Sequence, residues 1–396
     1  MIKTKNILFF LVISSFLFVA IKFYSFVVEY SSWQYADWLI NYQGGLVRRG
    51  LIGEILFNIY NIFNIDLDKL ILFFVVFLYA IFSYYLIKCI KYIENSYLNI
   101  LIFLSPGLFI YPIMNSGIIG RKEIFLLTLI GSFVFFEKKI NLKYHLIILI
   151  LTLILLSLSH SAFIFYMPYF IFLYILIKNN RGLKIKFNEI FIIAITLIFL
   201  IFFINFFNGS EIGIKKICES VKEFSSENCG KSGQIFVLNL TAQGYLVEKL
   251  NIGENFLRNY FIVYIISAII VFFFISVRLI NSKFKKNFSN LIKYNPFLIF
   301  FILFLLTIPV YIFGRDWGRY IYISYSCTFF LYIYFLKNNI LTFNKSKILN
   351  FFKFKKITFI IFIFFYSFFW TFPFYDANNF KLVLNKPIKT IIKKLK

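Results

Sequence analysis

Four short polar segments stand out in a chain dominated by apolar residues. The first runs from Tyr35 to Glu54 and places Asp37 ahead of the Gly44-Gly45 pair and the adjacent Arg48 and Arg49. Paired glycines permit a sharp turn or a close backbone approach, and guanidinium groups bind phosphate oxygens bidentately. The segment is therefore a candidate grip for phosphate or pyrophosphate; the competing reading is an interfacial helix whose arginines snorkel to headgroups. The second, Asn115 to Glu123, carries Arg121 and Lys122, with Glu123 at hand to neutralise one of them. The third is Leu158-Ser159-His160-Ser161, where His160 is either a general acid or phosphate ligand or a hydrogen-bonded structural residue. In the fourth, Gly314 to Tyr320, Arg315 and Arg319 flank Asp316 beside Trp317. Asp316 is the ordinary partner of those arginines, part of a substrate site, or both.

What positions these segments follows from composition. Of 396 residues, 61% are hydrophobic and only 15% charged, with 59 Phe and 27 Tyr. A soluble chain carries roughly a quarter charged residues, so a soluble enzyme is excluded. The apolar residues gather into about 11 runs, a count of 10–12, of the length that crosses a bilayer as a helix, not the alternating pattern of barrel strands. The runs lie near 7–28, 71–87, 97–114, 124–136, 144–159, 162–177, 190–207, 260–278, 297–313, 320–336 and 357–372. The expected fold is an all-α integral membrane protein. The run at 124–136 is short and the stretch from Pro106 to Gly120 is broken by Pro112; re-entrant segments look like this in sequence.

Charge sets the expected orientation. With the N-terminus cytoplasmic, the inner segments hold 22 basic residues against three acids, Glu94, Glu137 and Glu189. The outer side, apart from the C-terminal tail, holds 14 basic and 13 acidic residues. The basic excess is thus a topological signal and does not imply nucleic acid binding. One membrane domain over 1–396 is expected, with a first extracytoplasmic loop at 29–70 that includes an interfacial segment and one large extracytoplasmic loop at 208–259. The basic tail 373–396 would lie outside, against the rule, and its spacing suits an amphipathic helix on an anionic surface. The first run, preceded by Lys3 and Lys5, reads as a retained signal anchor.

Cys218 and Cys229 share the large loop, which has no histidine to complete a zinc site, so a disulfide is expected there; the alternative is two unrelated thiols. Cys89 and Cys327 read as packing residues. The sequons at Asn208 and Asn239 are short enough to arise by chance. No Walker A loop, dinucleotide fingerprint, zinc pattern or nucleophile elbow is present, and neither a metal nor a cofactor is called for. All four polar segments fall on the expected outer face, and one cavity lined by Asp37, Arg48, Arg49, Asp316, Arg315 and Arg319 is the economical explanation.

The combination of Gly44-Gly-Leu-Val-Arg-Arg-Gly-Leu51, Gly120-Arg-Lys-Glu123, His160 and Asp316-Trp-Gly-Arg319 resembles a family of bacterial membrane proteins of polysaccharide assembly. In architecture the chain also resembles the O-antigen or capsule repeat-unit polymerases of Wzy type and the GT-C glycosyltransferases. The first resemblance rests on short motifs over 33–320. Where the family pattern often has an acid after the histidine, this chain has Ser161, which weakens a His/acid dyad. The resemblance implies glycosyl transfer from a polyprenyl-linked donor on the outer face of a bacterial inner membrane. Arg48, Arg49, Arg121, Lys122, Arg315, Arg319 and Trp317 would bind substrate, and Asp37, Asp316 or His160 would carry catalysis. In GT-C enzymes the base lies in the first outer loop, which favours Asp37. Expected partners are the polyprenyl-linked sugar, the lipid bilayer and other polysaccharide-assembly proteins. The alternatives are a flippase of lipid-linked sugars, which would carry charge near its midplane, and a non-catalytic assembly factor.

Overall fold

The computed structural model describes residues 2–29, 33–93, 96–224, 235, 238, 254–285, 295–314, 316–343 and 356–373. It is predominantly helical, and seven described helices are long and apolar enough to cross a membrane. They are Thr4–Val28, Leu67–Ile90, Leu142–Ser159, Ser161–Asn180, Phe187–Phe206, Phe261–Ile280 and Pro296–Phe313. Many of their large apolar side chains face outward, as on Phe187–Phe206, where only Ile193 and Leu200 are buried. A helix apolar all round with so little of it buried suits lipid as its surroundings. The fold is helical as expected, with one short ladder besides among the described residues. Ser282–Phe284 and Leu341–Phe343 pair antiparallel, with Lys283 opposite Thr342. Each strand follows a helix end and is only three residues long, enough to tie two connections together.

The chain packs as two compact units. One comprises 1–15, 84–118 and 251–396, the other 16–83 and 119–250.

In the first unit the helix Trp317–Lys337 forms the centre, buried at every position from Gly318 to Phe335. Its tyrosines explain how so polar a helix is accommodated. Tyr325 donates its hydroxyl to the Ile102 carbonyl at 2.7 Å and Tyr332 to Asn99 Oδ1 at 2.9 Å. Ile102 belongs to the last turn of the helix Tyr97–Phe103, where carbonyls lack intrahelical partners. The third apolar run is thus not one continuous helix: it breaks after Phe103 and resumes at Ile110–Met114. Pro106 cannot continue the hydrogen-bond ladder, and a Cβ on Gly107 would meet the Val271 side chain at 2.4 Å. The break is tolerable because residues 98–112 are all buried and the Ser105 hydroxyl, bonded to the Val271 carbonyl at 3.3 Å, accepts from Gly107 N at 3.2 Å.

In the second unit the helix Leu142–Ser159 packs against Leu51–Phe63, Met167–Asn180 and Phe187–Phe206. Residues expected as the first loop hold two helices, Trp33–Leu39 and Leu51–Phe63, before Leu67–Ile90 begins. The described start of the large loop folds as the helix Glu211–Ser220. Most of 225–253, and with it Cys229 and Asn239, lies outside the described residues, as do Arg315, Glu94 and the tail from 374.

Candidate functional site

The second unit gathers the first and third polar segments and, from Ile119 to Glu123, the charged part of the second. The short helix Trp33–Leu39 buries Tyr35, Ala36, Asp37, Trp38 and Leu39, an unusual depth for a carboxylate. Trp38 fixes the helix by donating its indole Nε1 to the Gly120 carbonyl at 2.5 Å. Gly120 N in turn donates to the Tyr79 hydroxyl at 3.1 Å. Gly120 has φ +76, and a Cβ there would lie 2.2 Å from the Phe23 ring, so the turn needs glycine twice over.

That turn delivers Lys122 to Asp37. Lys122 Nζ lies 3.7 Å from Asp37 Oδ1, with both side chains fully buried. The same Nζ donates to the Arg49 carbonyl at 2.9 Å and stands 5.9 Å from the centre of the Trp38 ring. Burial pushes the Lys122 ammonium below the usual lysine value, and the Asp37 carboxylate works against that push.

Arg49 has φ +91, a backbone conformation that side-chain-bearing residues rarely adopt. Strain of this kind costs on the order of 1–3 kcal/mol and persists only where the surroundings impose it. Here Lys122 holds the Arg49 carbonyl, and the half-buried side chain donates from Nε to Ser161 Oγ at 3.4 Å. The neighbouring Arg48 is buried, and its backbone N donates to the Phe207 carbonyl at 3.0 Å. The first, second and third segments are therefore linked in one chain of contacts: Asp37 to Lys122, Lys122 to Arg49, Arg49 to Ser161. Arg121 and Glu123, on either side of Lys122, are buried as well.

The turn before Arg48 is braced from outside. A Cβ on Gly44 would stand 2.0 Å from the Gly213 carbonyl oxygen, so this glycine serves close backbone approach to the helix Glu211–Ser220. Asn41 adds a bond from Nδ2 to Ser220 Oγ at 2.9 Å, and its Oδ1 accepts from Gln43 N at 3.1 Å. Glu54 accepts from Tyr42 N at 2.8 Å and from Gln43 Nε2 at 3.2 Å, which makes it a clamp on the turn. Burial, with help from the Glu54 charge, pushes the Tyr42 phenol up to about 12. Cys218, buried on the bracing helix, is disulfide-bonded, while Cys89 and Cys327 are free and buried.

His160 caps the short 3-10 helix Ser161–Tyr166: its Nδ1 accepts from Ala162 N at 3.2 Å, and its ring stacks 5.0 Å from Phe163. One ring nitrogen is thereby committed to structure. The fourth segment belongs to the first unit. There Arg319 Nη1 bonds Asp316 Oδ2 at 3.1 Å, and Trp317 Nε1 donates to the Gly314 carbonyl at 3.1 Å. Tyr264, Tyr311 and Phe261 surround the Trp317 ring at 5.7, 5.8 and 6.2 Å. Among the described residues no group of three or more His, Cys, Asp or Glu side chains is placed to hold a metal.

Sequence reasoning did not foresee that Asp37 meets Lys122, that Arg49 rests on Ser161, or that Tyr79 and Ser220 support the site. The glycines carried the available signal: Gly44 and Gly120 both stand where a backbone or ring comes too close for a Cβ. Compared with known proteins, the chain matches no family model, no curated protein and no solved structure.

Proposed function

We propose that the protein is a membrane glycosyltransferase or polysaccharide repeat-unit polymerase that takes sugar from a polyprenyl-(pyro)phosphate donor. The observation that carries this reading is the convergence of Asp37, Lys122, Arg49 and Ser161 in a chain otherwise built of apolar helices. The two basic segments hold Arg48, Arg49, Arg121 and Lys122 against the acids Asp37, Glu54 and Glu123, and Glu54 braces the 42–43 turn. Charge is expensive near lipid unless it has a task, and an excess of cations is suited to an anionic ligand. The resemblance supplies the class of ligand, a sugar carried on lipid phosphate.

In the proposed reaction the acceptor hydroxyl oxygen bonds to the anomeric carbon of the donor. The bond from that carbon to the phosphate oxygen breaks, its electron pair leaves with the (pyro)phosphate, and the hydroxyl proton passes to a carboxylate. Arg49 and Lys122 stabilise the leaving charge, with Arg48 and Arg121 beside them. The phosphate offers Lys122 a second anionic partner, and Asp37 is then the carboxylate that receives the proton. Asp316, paired with Arg319, is the other candidate base.

The proposal includes about 11 membrane crossings, from the apolar runs, with the N-terminus cytoplasmic, from the distribution of Lys and Arg, and the inner membrane of a bacterium, which the resemblance implies. The site then faces the extracytoplasmic side. Deleting the gene and profiling lipid-linked and polymeric glycans tests the function. Loss of a polymer with accumulation of its polyprenyl-linked unit is expected. An unchanged glycan profile contradicts it, and undecorated units retained on the cytoplasmic face indicate a flippase instead.

A further inference from the structure

The other end of the second unit holds a cavity of about 360 Å³ between the helices Glu123–Phe136, Leu142–Ser159 and Met167–Asn180. Leu129, Phe133, Phe136, Ile140, Ile148 and Ile177 form its walls. Three polar residues of the lining, Ser132, Thr152 and His145, turn a polar atom back to the backbone of their own helix or its cap. Ser132 Oγ donates to the Thr128 carbonyl at 2.9 Å, Thr152 Oγ1 to Ile148 at 2.7 Å, and His145 Nδ1 bonds the Asn141 carbonyl at 3.1 Å. Glu137 and Lys139 line one end of the slot and its other walls are apolar; close-packed interiors do not keep such spaces without an occupant or a cost.

The rim has the opposite character. Lys139 lines the mouth, and Lys138 and Lys143 stand exposed in the same turn. Arg181 reaches that turn too, donating to the carbonyls of Glu137 and Ile140. An apolar slot between helices, edged by lysines, complements a molecule with a hydrocarbon chain and an anionic head. A free anion would find no donors inside the slot, and a neutral lipid would leave the lysines unused.

We propose that this cavity takes one acyl chain of an anionic phospholipid, whose phosphate is held by Lys138, Lys139 and Lys143. The site is separate from the Asp37–Lys122 site and independent of the glycosyl-transfer reading. The full chain, purified in neutral detergent, is titrated with phosphatidylglycerol or phosphatidylcholine, and bound lipid is read by native mass spectrometry. One phosphatidylglycerol is retained in preference to phosphatidylcholine. The K138Q/K139Q/K143Q variant loses that preference by roughly fivefold per lysine, on the scale of a cation near an anionic surface. Ser132→Phe, which fills the slot, loses the bound lipid of either kind. A K283Q/K285Q control, which removes exposed lysines of the first unit, keeps the preference. Wild-type preference in the triple lysine variant, equal loss in the control, or equally tight binding of glycerol phosphate without a chain would each overturn the proposal.

Discussion

Lys122 places its ammonium 3.7 Å from the Asp37 carboxylate, across 85 residues of sequence, where neither side chain meets solvent. Two ions taken out of water together hold each other, and removing one strands the other. The pair therefore has a stability signature apart from any catalytic one. Asp37→Asn and Lys122→Met should each lower stability by about 3 kcal/mol, and the double variant should recover much of the loss. Thermal unfolding of the four proteins in detergent measures the coupling; additive losses would mean the two groups do not interact.

The same pair has a pH dependence of definite sign. Burial holds Lys122 below its ordinary value, so just below 10.5 the unfolded chain keeps a proton that the folded protein has released. Stability relative to the double variant should rise with pH through that window. A flat difference from pH 8 to 10.5 would show that Lys122 titrates as in water.

Arg49 stands at φ +91 although glycines occupy 44, 45 and 50 close by. If the guanidinium justifies the strain, Arg49→Gly should gain about 1 kcal/mol of stability by relieving it, while losing glycan output. Arg49→Ala keeps the strain and should lose the output without the gain. Active Arg49→Gly protein would leave the arginine no part in the site.

Gly44 tests the brace. A methyl group there must displace the Gly213 backbone, so Gly44→Ala should cost about 1–3 kcal/mol and loosen the turn that carries Arg48 and Arg49. Unchanged melting and activity would show that the helix Glu211–Ser220 moves aside freely.

These particulars show what sequence could yield and why. Membrane character and helix placement follow from long apolar runs, whose signal is local and summed over many residues. Asp37, Arg49, Lys122 and His160 stood out because charge is costly in such a chain. Their pairing did not, because it depends on the Gly120 turn, whose shape is set by Trp38, Tyr79 and Phe23 from distant segments. Trp317–Lys337 was readable as a helix from the apolar run at 320–336, but its burial on all sides was not; that follows from tyrosine hydroxyls finding Ile102 and Asn99. His160 shows the converse, a residue conspicuous by type whose Nδ1 is engaged in a local cap.

Orientation is open to direct labelling. Asn180 and Lys215 are exposed, and the basic bias puts them on opposite sides. Asn180→Cys should resist an impermeant maleimide in intact cells, and Lys215→Cys should react. The reverse pattern would invert the proposed topology.

The most direct test of the proposed chemistry is glycan output from Arg49→Lys and Asp37→Asn proteins at matched membrane abundance. Lysine keeps the charge of arginine but lacks the planar fork that grips phosphate, and asparagine keeps the shape of aspartate but cannot take a proton. Glycosyl transfer through this site predicts that polymer falls at least tenfold in both variants while the lipid-linked donor accumulates. Normal polymer from both, at wild-type abundance, would contradict it and leave Asp37, Lys122 and Arg49 as structural residues.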